Sequence, residues 1–151
     1  MSALENILDH GGIEEIDLFE TPAAFKKTAS KVRKYLAEIG APAGMIGKVP
    51  ELNRRTLSEK VVALLDGRGI VTYDLPEDWL KSVISLRNQI VHTGVTHGFH
   101  PQEPDTLDCT IWVREIVTRI ILKRIGFVGA YRSWLHYDTQ LHFPDCVPMD
   151  D

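Results

Sequence analysis

Arg87, Asn88 and His92 lie within one short stretch, and their types and spacing could together do chemistry on a phosphodiester. Arginine can neutralise charge on a crowded phosphorane, and histidine exchanges protons near neutral pH. An asparagine four residues before a helical histidine is its neighbour on the helix surface, so its amide can reach and orient the imidazole. RNA cleavage by internal attack needs these functions: a group that takes the 2′-hydroxyl proton, a group that protonates the departing 5′-oxygen, and positive charge on the phosphorane. Such a scheme needs no metal. His92, His97 and His100 have the spacing H-x4-H-x2-H, but in a Gly-rich stretch without a nearby Cys or a well-placed set of carboxylates, which makes a poor zinc site.

The helix that carries the three residues constrains what they can do. Pro76 opens it, Glu77 and Asp78 suit its first turn, and Gly94 is placed to end it. On a wheel of about 100° per residue, Trp79, Leu80, Val83, Ile84, Leu86, Ile90 and Val91 form one apolar arc with Arg87 near its middle. A guanidinium aimed into an apolar layer is costly unless it is paired, hydrogen-bonded or opened onto a cleft. Arg87 therefore either faces a cleft or pairs with a carboxylate from another helix, for which Asp108 and Glu115 are the candidates. Arg87 and His92, five residues apart, point about 140° apart on an ideal helix. One straight helix cannot aim both at one point. Either the helix unwinds near His92, as Thr93 and Gly94 would permit, or two copies assemble the site across a symmetric dimer.

Leu86-Arg87-Asn88-Gln89-Ile90-Val91-His92 resembles the R-x4–6-H signature of the HEPN superfamily, in its common form with a polar residue directly after the arginine. The resemblance implies a helical bundle and a homodimer whose motif helices face each other. It also implies a composite active site using Arg87, Asn88 and His92, no cofactor, and 2′,3′-cyclic phosphate products. Proteins of this type are frequently toxins or phage-defence effectors. The run from Ile120 to Trp134, with Gly126-Phe127-Val128-Gly129-Ala130-Tyr131, is loosely similar to ApeA-like HEPN domains. The alternative within the same superfamily is a non-catalytic interaction module, antitoxin-like or a scaffold subunit, in which the motif helix only builds a dimer interface.

The remaining elements have to hold that helix. Thr21-Pro22 starts a helix on which Phe25, Ala29, Val32, Leu36 and Ile39 recur at helical spacing, ending at Gly40. Ala41 to Arg55 reads as a loop, rich in Gly and Pro, where a partner or substrate could touch. Thr56-Leu57-Ser58-Glu59 reads as a capping box before a short helix closed by Gly67 or Gly69. Ile70 to Tyr73 reads as an extended connector. The His-rich connector from Thr93 to Pro104 precedes the most apolar segment, Thr106 to Ile125, whose apolar residues spread around nearly its whole circumference. It should be central to the fold or shared with a second subunit. A last short helix is expected around Ala130 to His136, followed by a loosely held tail. Trp112 and Trp134 read as packing anchors, while Tyr131 and Arg132 fall where they could border a cleft. The whole is expected to be one all-α domain over residues 1–151, an up-and-down bundle of four to five helices.

The bulk properties bound the function. A chain of 151 residues, 44% hydrophobic and 25% charged, can close a core without staples. Two widely spaced cysteines suit a reducing compartment, and Met1 to His10 lack the basic lead-in of a signal peptide. The longest apolar stretches are broken by Arg114, Arg119, Lys123 and Arg124, so a cytoplasmic location without a membrane span is expected. A net charge of −4 argues against a protein that coats nucleic acid, but permits transient RNA binding through a local cationic patch. Arg114, Arg119, Lys123, Arg124 and Arg132 could supply one, although a solvated face is the ordinary reading of most such residues. The expected partners are RNA, a second copy of the chain and a regulatory protein.

Overall fold

The computed structural model describes residues 17–94, 104–136 and 139–149, and is mainly helical with a small sheet. Helix α1 (Pro22–Glu38) begins as its sequence predicts, with Thr21 Oγ1 accepting from Ala24 N at 3.3 Å and proline in the first turn. Only Ala29 is buried along it, so α1 is lightly held, packing on α2 (Ala43–Gly47) and on a 3-10 turn (Val49–Asn53). Residues 41–55, expected to be a loop, are thus largely two short helical turns, pinned by the buried Val49 and Asn53. The Asn53 amide works as a second piece of backbone. Its Nδ2 donates to Glu20 O at 2.8 Å and its Oδ1 accepts from Glu20 N at 3.0 Å, extending the pairing of residues 17–20 with 53–55.

Three helices form the main core: α3 (Leu57–Arg68), α4 (Trp79–Thr93) and α5 (Thr106–Arg124). The predicted capping box opens α3. Glu59 N donates to Thr56 Oγ1 at 3.4 Å, while Thr56 N at 2.7 Å and Thr56 Oγ1 at 2.8 Å donate to Glu59 Oε2, and these last two bonds hold the Glu59 carboxyl below its ordinary pKa. Gly69, left-handed at φ +59°, ends the helix. A second capping box starts α5, in which Asp105 Oδ1 accepts from Leu107 N and Asp108 N, and Asp108 Oδ2 accepts from Asp105 N. Val61, Leu64, Leu65, Trp79, Val83, Trp112, Ile116 and Ile120 fill the space between the three helices. The expectation for α5 holds in half: one face is buried, while Leu107 and Ile121 on its other sides stay exposed.

The C-terminal part corrects the all-α expectation. Residues 130–136 do not form a helix. Instead β1 (Gly129–Arg132), β2 (Gln140–Phe143) and β3 (Val147–Pro148) make an antiparallel sheet in that order. The physical reason lies in the period. Phe127, Gly129, Tyr131 and Ser133 turn inward while Val128, Ala130 and Arg132 turn outward, which is the alternation of a strand. Leu141 and Phe143 repeat it on β2 and, with Cys146, form a second apolar cluster against Val71, Leu122, Phe127 and Tyr131. The tail expected to be loose is therefore packed through Cys146.

A buried polar network joins the two clusters. Arg119 and Glu115, one turn apart on α5, are both 0% exposed. Arg119 Nε donates to Glu115 Oε1 at 2.9 Å; its Nη1 donates to Val71 O at 2.7 Å and to Asp74 Oδ1 at 2.8 Å, and its Nη2 bonds Asp74 Oδ2. Tyr131 Oη donates to Glu115 Oε1 at 2.7 Å, and Trp134 N to Glu115 Oε2 at 2.6 Å. Arg119, one of five cations read as a surface patch or a solvated face, is thus in the core. Its burial works against the charge, but the bonds and charges of Asp74 and Glu115 outweigh that and push its pKa above the ordinary arginine value.

Two expectations follow for stability. Arg119→Met strands two carboxylates without their cation and is expected to lower the unfolding free energy by about 3–5 kcal/mol, read from urea midpoints. Burial pushes the Tyr131 phenol well up, and its bonds to Cys146 and Glu115 add to this against the pull of Arg119. The folded chain therefore holds this proton more tightly than the unfolded chain. The resulting stability is intact below the ordinary phenol pKa and is lost as pH rises through it towards the folded value. Urea midpoints are expected to fall above about pH 10, and Tyr131→Phe to flatten that fall.

Candidate active site

Helix α4 sets the geometry of the candidate residues. Trp79, Val83 and Arg87 follow at four-residue intervals on one stripe, the first two buried and Arg87 half-buried. Beyond Arg87 the core runs out. Ile90 and Val91 are exposed, and a groove of about 510 Å³ opens between α4 and α5. Val83, Leu86, Ile90, Val91, Cys109 and Val113 give it apolar walls, and Arg87, Thr106, Thr110 and Arg114 add polar groups. Among the described residues lining it are neither Asn88 nor His92.

Arg87 Nη1 donates to Asn88 Oδ1 at 3.1 Å, so the asparagine oxygen is engaged by the neighbouring guanidinium. His92 stands exposed in the last turn of α4. The helix stays regular through Thr93 and leaves only at Gly94, where φ is +70° and N donates to Ile90 O at 2.9 Å. Arg87 and His92 consequently keep the separation of about 140° set by five helical residues. The unwinding near His92 that would have brought them together within one chain does not occur.

The two carboxylates considered for Arg87 are engaged elsewhere. Asp108 caps α5, and Glu115 is bound by Arg119, Tyr131 and Trp134 N. Glu115 instead pairs with the fully buried Arg119. Tyr131, considered for the border of a cleft, is part of that network, and Arg132 is exposed on β1. His97 and His100 lie outside the described residues. Among the described residues, no three His, Cys, Asp or Glu side chains are grouped to hold a metal ion.

One feature of the site was missed from sequence. The Arg114 guanidinium lies 4.7 Å from the centroid of the Trp134 ring. Nothing local in the sequence signals this pair, because twenty residues separate the two and the bond from Trp134 N to Glu115 on α5 helps to bring them together. The α5 stretch carrying Arg114 also carries Cys109, on the groove wall yet almost fully buried. Burial, and then the charges of Asp108 and Asp105, push its thiol up.

Comparison of the chain with family models, curated proteins and solved structures finds no match. Among the described residues, no helix is long and apolar enough to cross a membrane.

Because the thiolate is the reactive form, Cys109 is expected to resist alkylation at about pH 8 and to react on unfolding in urea. Cys146, also buried and with its thiol raised first by burial, is expected to behave alike. Mass spectrometry of iodoacetamide-treated protein with and without urea checks both.

Proposed function

We propose that this chain is a metal-independent endoribonuclease of HEPN type, acting in the cytoplasm as a symmetric homodimer. The supporting observation is the regular α4 helix, which holds Arg87 half-buried at a groove and His92 exposed about 140° around the same helix. A second copy packed along α4 can supply the His92 that one chain cannot bring to its own Arg87. The exposed Ile90 and Val91 on that helix, and Leu107 on α5, provide apolar area for such a packing.

In this reading, Arg87 binds the scissile phosphate and stabilises charge as the phosphorane forms. Asn88, bonded to Arg87, holds the guanidinium in place. His92 acts as general base or acid. The 2′-oxygen loses its proton and bonds to phosphorus, the bond from phosphorus to the 5′-oxygen breaks, and the leaving oxygen takes up a proton. The products are a 2′,3′-cyclic phosphate and a 5′-hydroxyl. An enzyme of this kind suits a toxin or phage-defence effector, restrained by a regulatory protein until needed.

The same exposed apolar residues on α4 also suit the second reading, a non-catalytic interaction module built on a dimer interface. Cleavage of labelled RNA in EDTA separates the two. Wild type is expected to produce cyclic-phosphate ends, and Arg87→Ala and His92→Ala to lose at least about a hundredfold in rate, the usual scale for an acid–base or charge-stabilising group. Mixing the two inactive variants should restore about a quarter of the wild-type rate, because half the exchanged dimers are mixed and each has one intact composite site. Equal inertness of all three folded proteins would leave the interaction module as the reading.

A further inference from the structure

The groove beside Arg87 has a second cation that the motif does not contain. Arg114 comes from α5, the opposite wall, and lines the same space as Arg87. Its guanidinium is held over Trp134, and a guanidinium stacked on an indole keeps N–H donors at its edge for an oxygen ligand. Trp134 is itself placed by the rigid part of the fold, since its backbone N donates to the fully buried Glu115. Arg114 is therefore oriented by the framework, which lowers the entropy lost when it binds a ligand. Leu86 and Val113 give the same groove apolar surface. Arginines on two helices thus border one partly apolar groove. That arrangement suits a single strand whose phosphates meet the cations and whose bases or sugars lie on the apolar wall.

We infer that Arg114, held by Trp134, is a second phosphate-binding residue of this groove, placing a single-stranded RNA segment so that the scissile phosphate reaches Arg87. This rests on the ribonuclease reading and deepens it. Arg114 binds a phosphate next to the reacting one, and Trp134 is a positioning residue that acts through Arg114.

The test measures binding of a labelled mixed-sequence 2′-O-methyl RNA of about twelve nucleotides, which cannot undergo internal attack, across a salt series. Cleavage of the matching natural RNA in EDTA is followed in parallel. Arg114→Ala is expected to weaken binding about tenfold and to reduce the log–log salt slope by about 0.7, the loss of one phosphate contact on a single strand. In cleavage it is expected to raise KM far more than it lowers kcat. Arg114→Lys should retain the salt slope and part of the affinity. Trp134→Leu, with Trp134→Phe as a milder change, should weaken binding without removing the slope. Unchanged affinity and slope in Arg114→Ala, with wild type still cleaving and Arg87→Ala inactive, would overturn the role of Arg114 and leave the ribonuclease reading standing. Loss of the dimer in a folded Arg114→Ala, seen by light scattering, would assign the groove to a contact between copies and overturn the inference. If wild type neither binds nor cleaves, the ribonuclease reading fails and this inference fails with it.

Discussion

The buried guanidinium of Arg119 is the constraint on which the rest of the architecture depends. A charge removed from water is tolerable only where its donors are met, and here Glu115, Asp74, Val71 O and the Tyr131 hydroxyl meet them. These partners come from α5, from the connector between α3 and α4, and from β1. Satisfying one side chain therefore sets the position of three separate parts of the chain. An apolar residue in its place could fill the volume but would impose no such directional demand. Tyr131 and the Trp134 amide bond the β1 segment to α5, beside the packing of the sheet's small apolar cluster on Leu122 and Val71.

The same network shapes the candidate site from a distance. It engages Glu115, one of the two carboxylates considered for Arg87. By fixing the backbone at Trp134, it provides the ring over which Arg114 lies. The groove thus has arginines on both walls although the chain as a whole is acidic.

On the proposed reading, the straightness of α4 turns a limitation into a control. A helix that holds its arginine and histidine about 140° apart is incompetent as a monomer, so activity would follow assembly. The exposed Ile90 and Val91 would then serve both to bring two copies together and to exclude water from the reacting phosphate. A regulatory protein could restrain such an enzyme by covering that helix, without touching the reacting groups.

By itself the sequence determined the features that arise within a few residues: the Thr21-Pro22 start, the Thr56 and Glu59 capping box, the Gly94 that ends α4, and the place of Arg87 on an apolar stripe. These depend on side chains and backbone groups three or four residues apart, so periodicity and residue type suffice to find them. Only the tertiary structure decided that residues 129–132 pair with 140–143, that Arg119 and not Arg87 takes the buried carboxylate, and that Trp134 lies beneath Arg114. Each of those outcomes is a competition among partners distant along the chain. A four-residue strand has too little intrinsic preference to declare itself, and an arginine on a helix with apolar residues on every side does not reveal which face the core will cover. Packing resolved both, by burying the face whose polar groups could all be satisfied.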